Sequence, residues 1–100
     1  MSFNTEWAKI EFSHPEMDHE ELLKFNISIP SHDTRRCTVV NIISLETGDV
    51  LSKGISVCHE IDNFNKSVGR KNALTHAVSI YSKSFRKQIW DAYNKQIGRN

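Results

Sequence analysis

The stretch "HEIDNFNKSVGRKNALTHA", residues 59–77, carries two cations, Lys66 and Arg70, four positions apart around Gly69. It follows an apolar, strand-like run and has helical periodicity. Phe64, Val68, Leu74, Ala77, Val78 and Tyr81 share one arc. At about 100° per residue, Arg70 projects between Leu74 and Ala77, inside that arc, and Lys66 lies at its margin. Free N–H groups and the dipole at a helix start favour anions and disfavour cations. Two cations placed there call for a negative partner. Arginine grips phosphate bidentately, and lysine acts as a point charge. Gly69 weakens the helix but permits close approach of a backbone or a ligand. Two readings stand side by side. Either Arg70 pairs internally with Glu60, Asp62 or a strand carboxylate, or the corner captures an anion through Asn63, Phe64, Lys66, Arg70 and Lys71.

No catalytic or metal-binding pattern competes with this one. Cys37 and Cys58 are 21 residues apart without a CxxC pattern, and suit buried thiols better than a disulfide. His14 and His19 lie in an acidic stretch with Glu16 and Asp18, which reads as a solvated loop rather than a metal site. There is no nucleophile elbow, no Walker-type loop and no carboxylate pair placed for acid–base work. The expectation is a protein without catalysis, cofactor or metal. A second basic set, Lys83, Arg86 and Lys87 with Trp90, decorates the last helical segment and suits phosphate contact and base stacking. Against a nucleic-acid partner stand a net charge of only +1 and the lack of a named reader motif.

The charge is unevenly spread. Residues 1–62 hold five Lys/Arg and eleven Asp/Glu, net −6, whereas residues 63–100 hold eight Lys/Arg and one Asp, net +7. That split fits head-to-tail association, a basic half meeting an anionic partner, or simply helices that carry the solvent-facing lysines. One hundred residues make one domain. No apolar run approaches the ~18–20 residues of a membrane span, and no secretory signal is visible, so a cytoplasmic location is expected.

The elements that must position these residues follow from periodicity. "WAKIEF" (7–12) alternates, placing Ala8, Ile10 and Phe12 on one side of a strand. "SHPEMDHEE" reads as a loop or one short helical turn, and "LLKFNISIP" as a second strand with Leu23, Phe25, Ile27 and Ile29 on one face. "CTVVNIISL" and "VLSKGISVC" form a hairpin over 37–58. A two-residue Thr47-Gly48 turn would pair Leu45 with Val50, Val40 with Ile55 and Cys37 with Cys58. Asp62 is the expected N-cap of a helix over 63–81. Ser82 or Ser84 would cap a last helix through Gln96, with Phe85, Ile89, Ala92 and Tyr93 buried and Gly98 ending it. The predicted architecture is an α+β domain over 1–100: an antiparallel sheet of about four strands, then two C-terminal helices. One sheet face takes a helix, and the other takes a second covering layer or a partner subunit.

The segment "GISVCHEIDNFNKSVGRKNALTHAV" follows the hairpin and opens a helix. Over about residues 36–78 it resembles the C-terminal part of the Thoeris anti-defence family of signal sponges, small bacteriophage proteins. The resemblance implies a phage protein in the host cell cytoplasm. It implies a homo-oligomer that sequesters a cyclic ADP-ribose-like or cyclic nucleotide signal without catalysis, with Lys66 and Arg70 on its phosphates and Phe64 available for packing or stacking. The chain departs from that pattern by opening with strands and by adding a basic helix after the motif. A second expectation is an inhibitor aimed at a host protein, such as an anti-CRISPR-like factor. A third is a nucleic-acid-binding accessory protein.

Overall fold

The computed structural model describes residues 1–58 and 64–98. Five antiparallel strands are organised around the long strand β4 (Thr34–Ser44). On one side β4 pairs first with β3 (Glu16–Asp18) and then with β2 (Ala8–Ser13), and β1 (Ser2–Asn4) lies outside β2. On its other side lies β5 (Val50–Val57). A one-turn helix α1 (His19–Leu23) follows β3, and two longer helices, α2 (Lys66–Val78) and α3 (Lys83–Gln96), close the chain. The domain is α+β, as its periodicity predicts. Among the described residues no helix is long and apolar enough to cross a membrane.

The alternation in β2 buries Ala8, Ile10 and Phe12 under the two long helices, together with Phe3, Val40 and Ile42. Leu74 and Val78 of α2 and Ile89 and Tyr93 of α3 complete this core. The opposite face has a smaller core in which Met17, Leu22, Ile29, Cys37, Val39 and Ile55 meet. It covers only the β3 end of the sheet, so the second layer is partial and is made by the chain itself.

Three expectations are overturned. First, "LLKFNISIP" is not a strand. Asp18 and Glu21 form a reciprocal capping box that starts α1, and Asn26 takes a left-handed φ of 62° just after the helix. The chain then passes beneath the sheet, held by a 2.8 Å contact between His19 Nδ1 and the Ile29 carbonyl. Two short strands were missed, β1 and β3, whose Phe3 and Met17 are buried.

Second, the hairpin register differs. Five residues, Leu45 to Asp49, join β4 to β5, because the Ser44 hydroxyl accepts from the N–H groups of Glu46 and Thr47. Gly48 turns the chain back with φ 78°. Cys37 therefore faces Val57 rather than Cys58, and Val40 faces Gly54 rather than Ile55, with an irregularity at Ile42/Ile43. A one-residue slip reverses every side chain of a strand. Ile55 and Val57 therefore join the smaller core, and Gly54 comes to lie under α2.

Third, α2 begins at Lys66, capped by Asn65, whose side chain accepts from the Val68 N–H at 3.1 Å. The expected cap Asp62 lies outside the described residues. Val68 is 53 % exposed, and the buried stripe runs instead through Gly69, Ala73, Leu74, Ala77 and Val78. Small residues select this stripe because they allow close packing. A Cβ at Gly54 would collide with the Ala73 carbonyl and Ala77, and one at Gly69 with the Thr38 hydroxyl. The last helix begins at its Ser82 cap and ends before Gly98 (φ 82°) as expected, except that Phe85 is exposed and packs on Trp7 instead of entering the core.

Candidate anion-binding corner

The corner forms where the β2–β3 junction, the start of β4 and the start of α2 converge. Pro15 separates β2 from β3, and its carbonyl accepts from the Cys37 N–H at 2.9 Å, so the two short strands stay aligned along β4. This leaves His14 opposite Thr38, with Nδ1 3.0 Å from the Thr38 hydroxyl. Thr38 is fully buried, so this contact satisfies a hydroxyl that would otherwise be costly to bury. Gly69 lets α2 settle directly on Thr38. That seats the first two turns of the helix, and with them Lys66 and Arg70, over His14.

Phe64 lies just before the helix. Its ring meets His14 edge-on at 5.6 Å, and the Arg36 guanidinium sits over it, also 5.6 Å from its centroid. Arg36 Nη1 also donates to the His14 carbonyl at 3.4 Å. Glu16 is the register partner of Arg36 in β3, yet the two make no ion pair. Among the described residues, none of Arg36, Lys66 and Arg70 is ion-paired. Arg70 is half-buried, and among the described residues its enclosed Nε has no acceptor.

The electrostatics register this crowding. The His14 pKa is pushed below its ordinary value, first by burial and then by Lys66, Arg70, the amino group of Met1 and Arg36. Its imidazole is therefore held neutral at physiological pH. Three side-chain cations from two elements lie around a neutral ring at the start of α2. Such a corner attracts an anion by charge and by hydrogen bonding.

Of the sequence-predicted set, Phe64, Lys66 and Arg70 come together here. Lys71 is half-buried one position further along α2, where its carbonyl accepts from the Thr75 hydroxyl at 2.8 Å. Asn63 lies outside the described residues, as do Glu60 and Asp62, the acids considered as internal partners of Arg70. His14, Thr38 and Arg36 were missed. Their membership depends on the β2–β4 pairing, which links positions 24 residues apart. The only local hint was Pro15 after a run of alternating apolar residues.

The other constellations stand differently. On α3, Arg86 donates to the Tyr81 carbonyl at 2.7 Å, and Lys87 pairs with Asp91 at 2.7 Å. Trp90 is half-buried, edge-on to Tyr93 at 5.6 Å, so its ring is committed to the core margin, and Lys83 is exposed. His14 and His19 have separate partners. Among the described residues, no group of three or more His, Cys, Asp and Glu could hold a metal ion. The Cys37 thiol is pushed up to about 11 by burial, with Glu21 and Cys58 adding to the shift, so it is a poor nucleophile. Comparison with protein-family models, curated proteins and solved structures finds no match.

Proposed function

We propose that this chain is a small, non-catalytic binding protein that captures a phosphate-bearing anion between β4 and the start of α2. Arg70, Lys66 and Arg36 supply the charge, at the positive end of the α2 dipole. The observation that carries the reading is the Arg70 guanidinium, whose enclosed Nε has neither an acceptor nor a carboxylate partner among the described residues. An enclosed, unsatisfied donor costs about 1–3 kcal/mol, a cost that a bound anion would recover.

Together with the resemblance over residues 36–78, this supports a phage-encoded anti-defence protein acting in the host cytoplasm. Its ligand would be a cyclic ADP-ribose-like or cyclic nucleotide signal, held by sequestration in a homo-oligomer. Phe64 serves such a site as a pedestal for Arg36 and His14. Calorimetric titration of the purified chain with cyclic ADP-ribose isomers and cyclic dinucleotides tests this. Saturable binding of one class is expected, and silence across the panel rejects the reading.

A protein-directed inhibitor is the alternative, favoured by the apolar side chains exposed near the hairpin tip, Leu45, Val50 and Leu51. Recovery of a stoichiometric host protein, without nucleotide binding, would select it. A nucleic-acid-binding role through Lys83, Arg86, Lys87 and Trp90 has less support, because Arg86, Lys87 and Trp90 already have partners within the fold.

A further inference from the structure

We propose that the groove between β1 and α3 receives an extended, acidic segment of a partner protein, which adds to the sheet as a further strand. The sheet edges at β1 and β5 are treated differently. On β5 the outward N–H of Ile55 is covered by His76 of α2, whose Nδ1 accepts it at 3.1 Å, and the strand is irregular near the hairpin. Both features blunt an edge against pairing. Among the described residues, no side chain hydrogen-bonds to the outward backbone groups of β1.

The β1–β2 ladder shows which groups are left over. The N–H of Phe12 donates to the Met1 carbonyl at 2.9 Å, and that of Thr5 to the Ala8 carbonyl at 2.8 Å. In an antiparallel pair, alternate residues bond inward. Met1, Phe3 and Thr5 therefore face β2, while Ser2 and Asn4 direct N–H and C=O away from the sheet.

These outward groups open into a groove of about 550 Å³ whose far wall is α3, through Ala92, Lys95 and Gln96. An edge strand beside a helix is a geometry that captures peptides by strand addition. The backbone ladder supplies affinity, and the flanking side chains supply selectivity. Here the charged residues of the lining are Lys9 and Lys95, with no carboxylate. Lys9 is already tied to Glu11 at 2.7 Å, whereas Lys95 makes no ion pair among the described residues. An acidic side chain on the incoming strand would satisfy it. The short β1 limits the ladder to Ser2 and Asn4, which suits a transient partner. None of these lining residues belongs to the anion-binding corner, so the proposal does not depend on that reading.

The test is an NMR titration of the ¹⁵N-labelled full chain with an acetylated, amidated hexapeptide, Val-Glu-Val-Glu-Val-Glu, and its lysine counterpart. Saturating shifts are expected at Ser2, Asn4 and the amides of Ala92 to Gln96 with the acidic peptide. Asn4→Pro removes one outward N–H without touching the β1–β2 bonds. It should weaken binding at least about tenfold while the rest of the spectrum stays native. The exposed Lys95→Glu should weaken the acidic peptide similarly and favour the lysine peptide. Absent shifts, shifts confined to another surface, equal binding of the two peptides, or wild-type affinity in both variants would overturn the proposal.

Discussion

The guanidinium of Arg36 rests 5.6 Å from the centroid of the Phe64 ring, so a residue at the threshold of α2 fixes the position of a cation on β4. The same ring meets His14 at 5.6 Å. Phe64 therefore joins the strand half of the proposed anion-binding corner to the helix half. Replacing it with leucine keeps apolar volume but removes the ring face and edge. A cation–π contact at such a site contributes about 0.5–1 kcal/mol. Phe64→Leu should accordingly weaken binding of a phosphate-bearing ligand roughly two- to five-fold, measured by calorimetry, with a thermal midpoint close to wild type.

Arg70→Ala should leave the ligand-free protein as stable as wild type, or more so. The substitution removes an enclosed donor without an acceptor and relieves repulsion from Lys66. Urea denaturation checks this. A loss of several kcal/mol would show that Arg70 is a structural partner of an internal acid, because breaking a buried pair costs about 3–5 kcal/mol.

His14 gives the protein a definite pH response. Its folded pKa lies below its unfolded value, so the unfolded chain takes up the proton more readily on acidification. The stability associated with its neutral form is complete above the ordinary histidine range, about pH 6.5, and is lost as pH falls through the folded pKa. His14→Gln should flatten that part of the stability–pH curve. The sign reverses for binding. An anion that offsets Lys66, Arg70 and Arg36 raises the His14 pKa, so capture takes up protons. With sulfate or ADP-ribose, neither of which titrates near neutrality, affinity should rise as pH falls from 7.5 towards 6, and His14→Gln should reduce that dependence.

Gly54→Ala tests how the corner is seated. Its Cβ would meet the Ala73 carbonyl and Ala77, which are backbone and short side chain and cannot swing aside. Overpacking of this kind typically costs about 1–3 kcal/mol. For a domain this size that corresponds to a drop of roughly 4–8 °C in Tm per kcal/mol. A wild-type midpoint would mean that α2 rides higher on the sheet than the packing of Gly69 on Thr38 requires.

Local chemistry made much of this fold legible. The alternation of Ala8, Ile10 and Phe12, the cap at Ser82 and the stop at Gly98 are each written in a few adjacent residues, and each appears where expected. The reading failed where a non-local contact or a competing cap decided the outcome. The Ser44 hydroxyl redirected the turn and so moved Gly54, rather than Ile55, beneath α2. The Asp18–Glu21 capping box turned an apparently β-like stretch into a helix end. At the site, helical geometry placed Arg70 against the sheet, and the structure has it half-buried. The strand residues that complete its surroundings, His14, Thr38 and Arg36, become neighbours only once β2 pairs with β4. Gly69 was recognised as a point of close approach, but its neighbour, Thr38, was not foreseeable from spacing.

The central claim is that Arg70 is held ready for an anion that the protein captures. Calorimetric titration of wild type and Arg70→Ala with cyclic ADP-ribose isomers tests it most directly. A charge-assisted hydrogen bond contributes about 1.5–3 kcal/mol, so saturable binding by wild type and a loss of at least about tenfold in the variant are predicted. Equal affinity in the two proteins, or no binding by wild type, would contradict it.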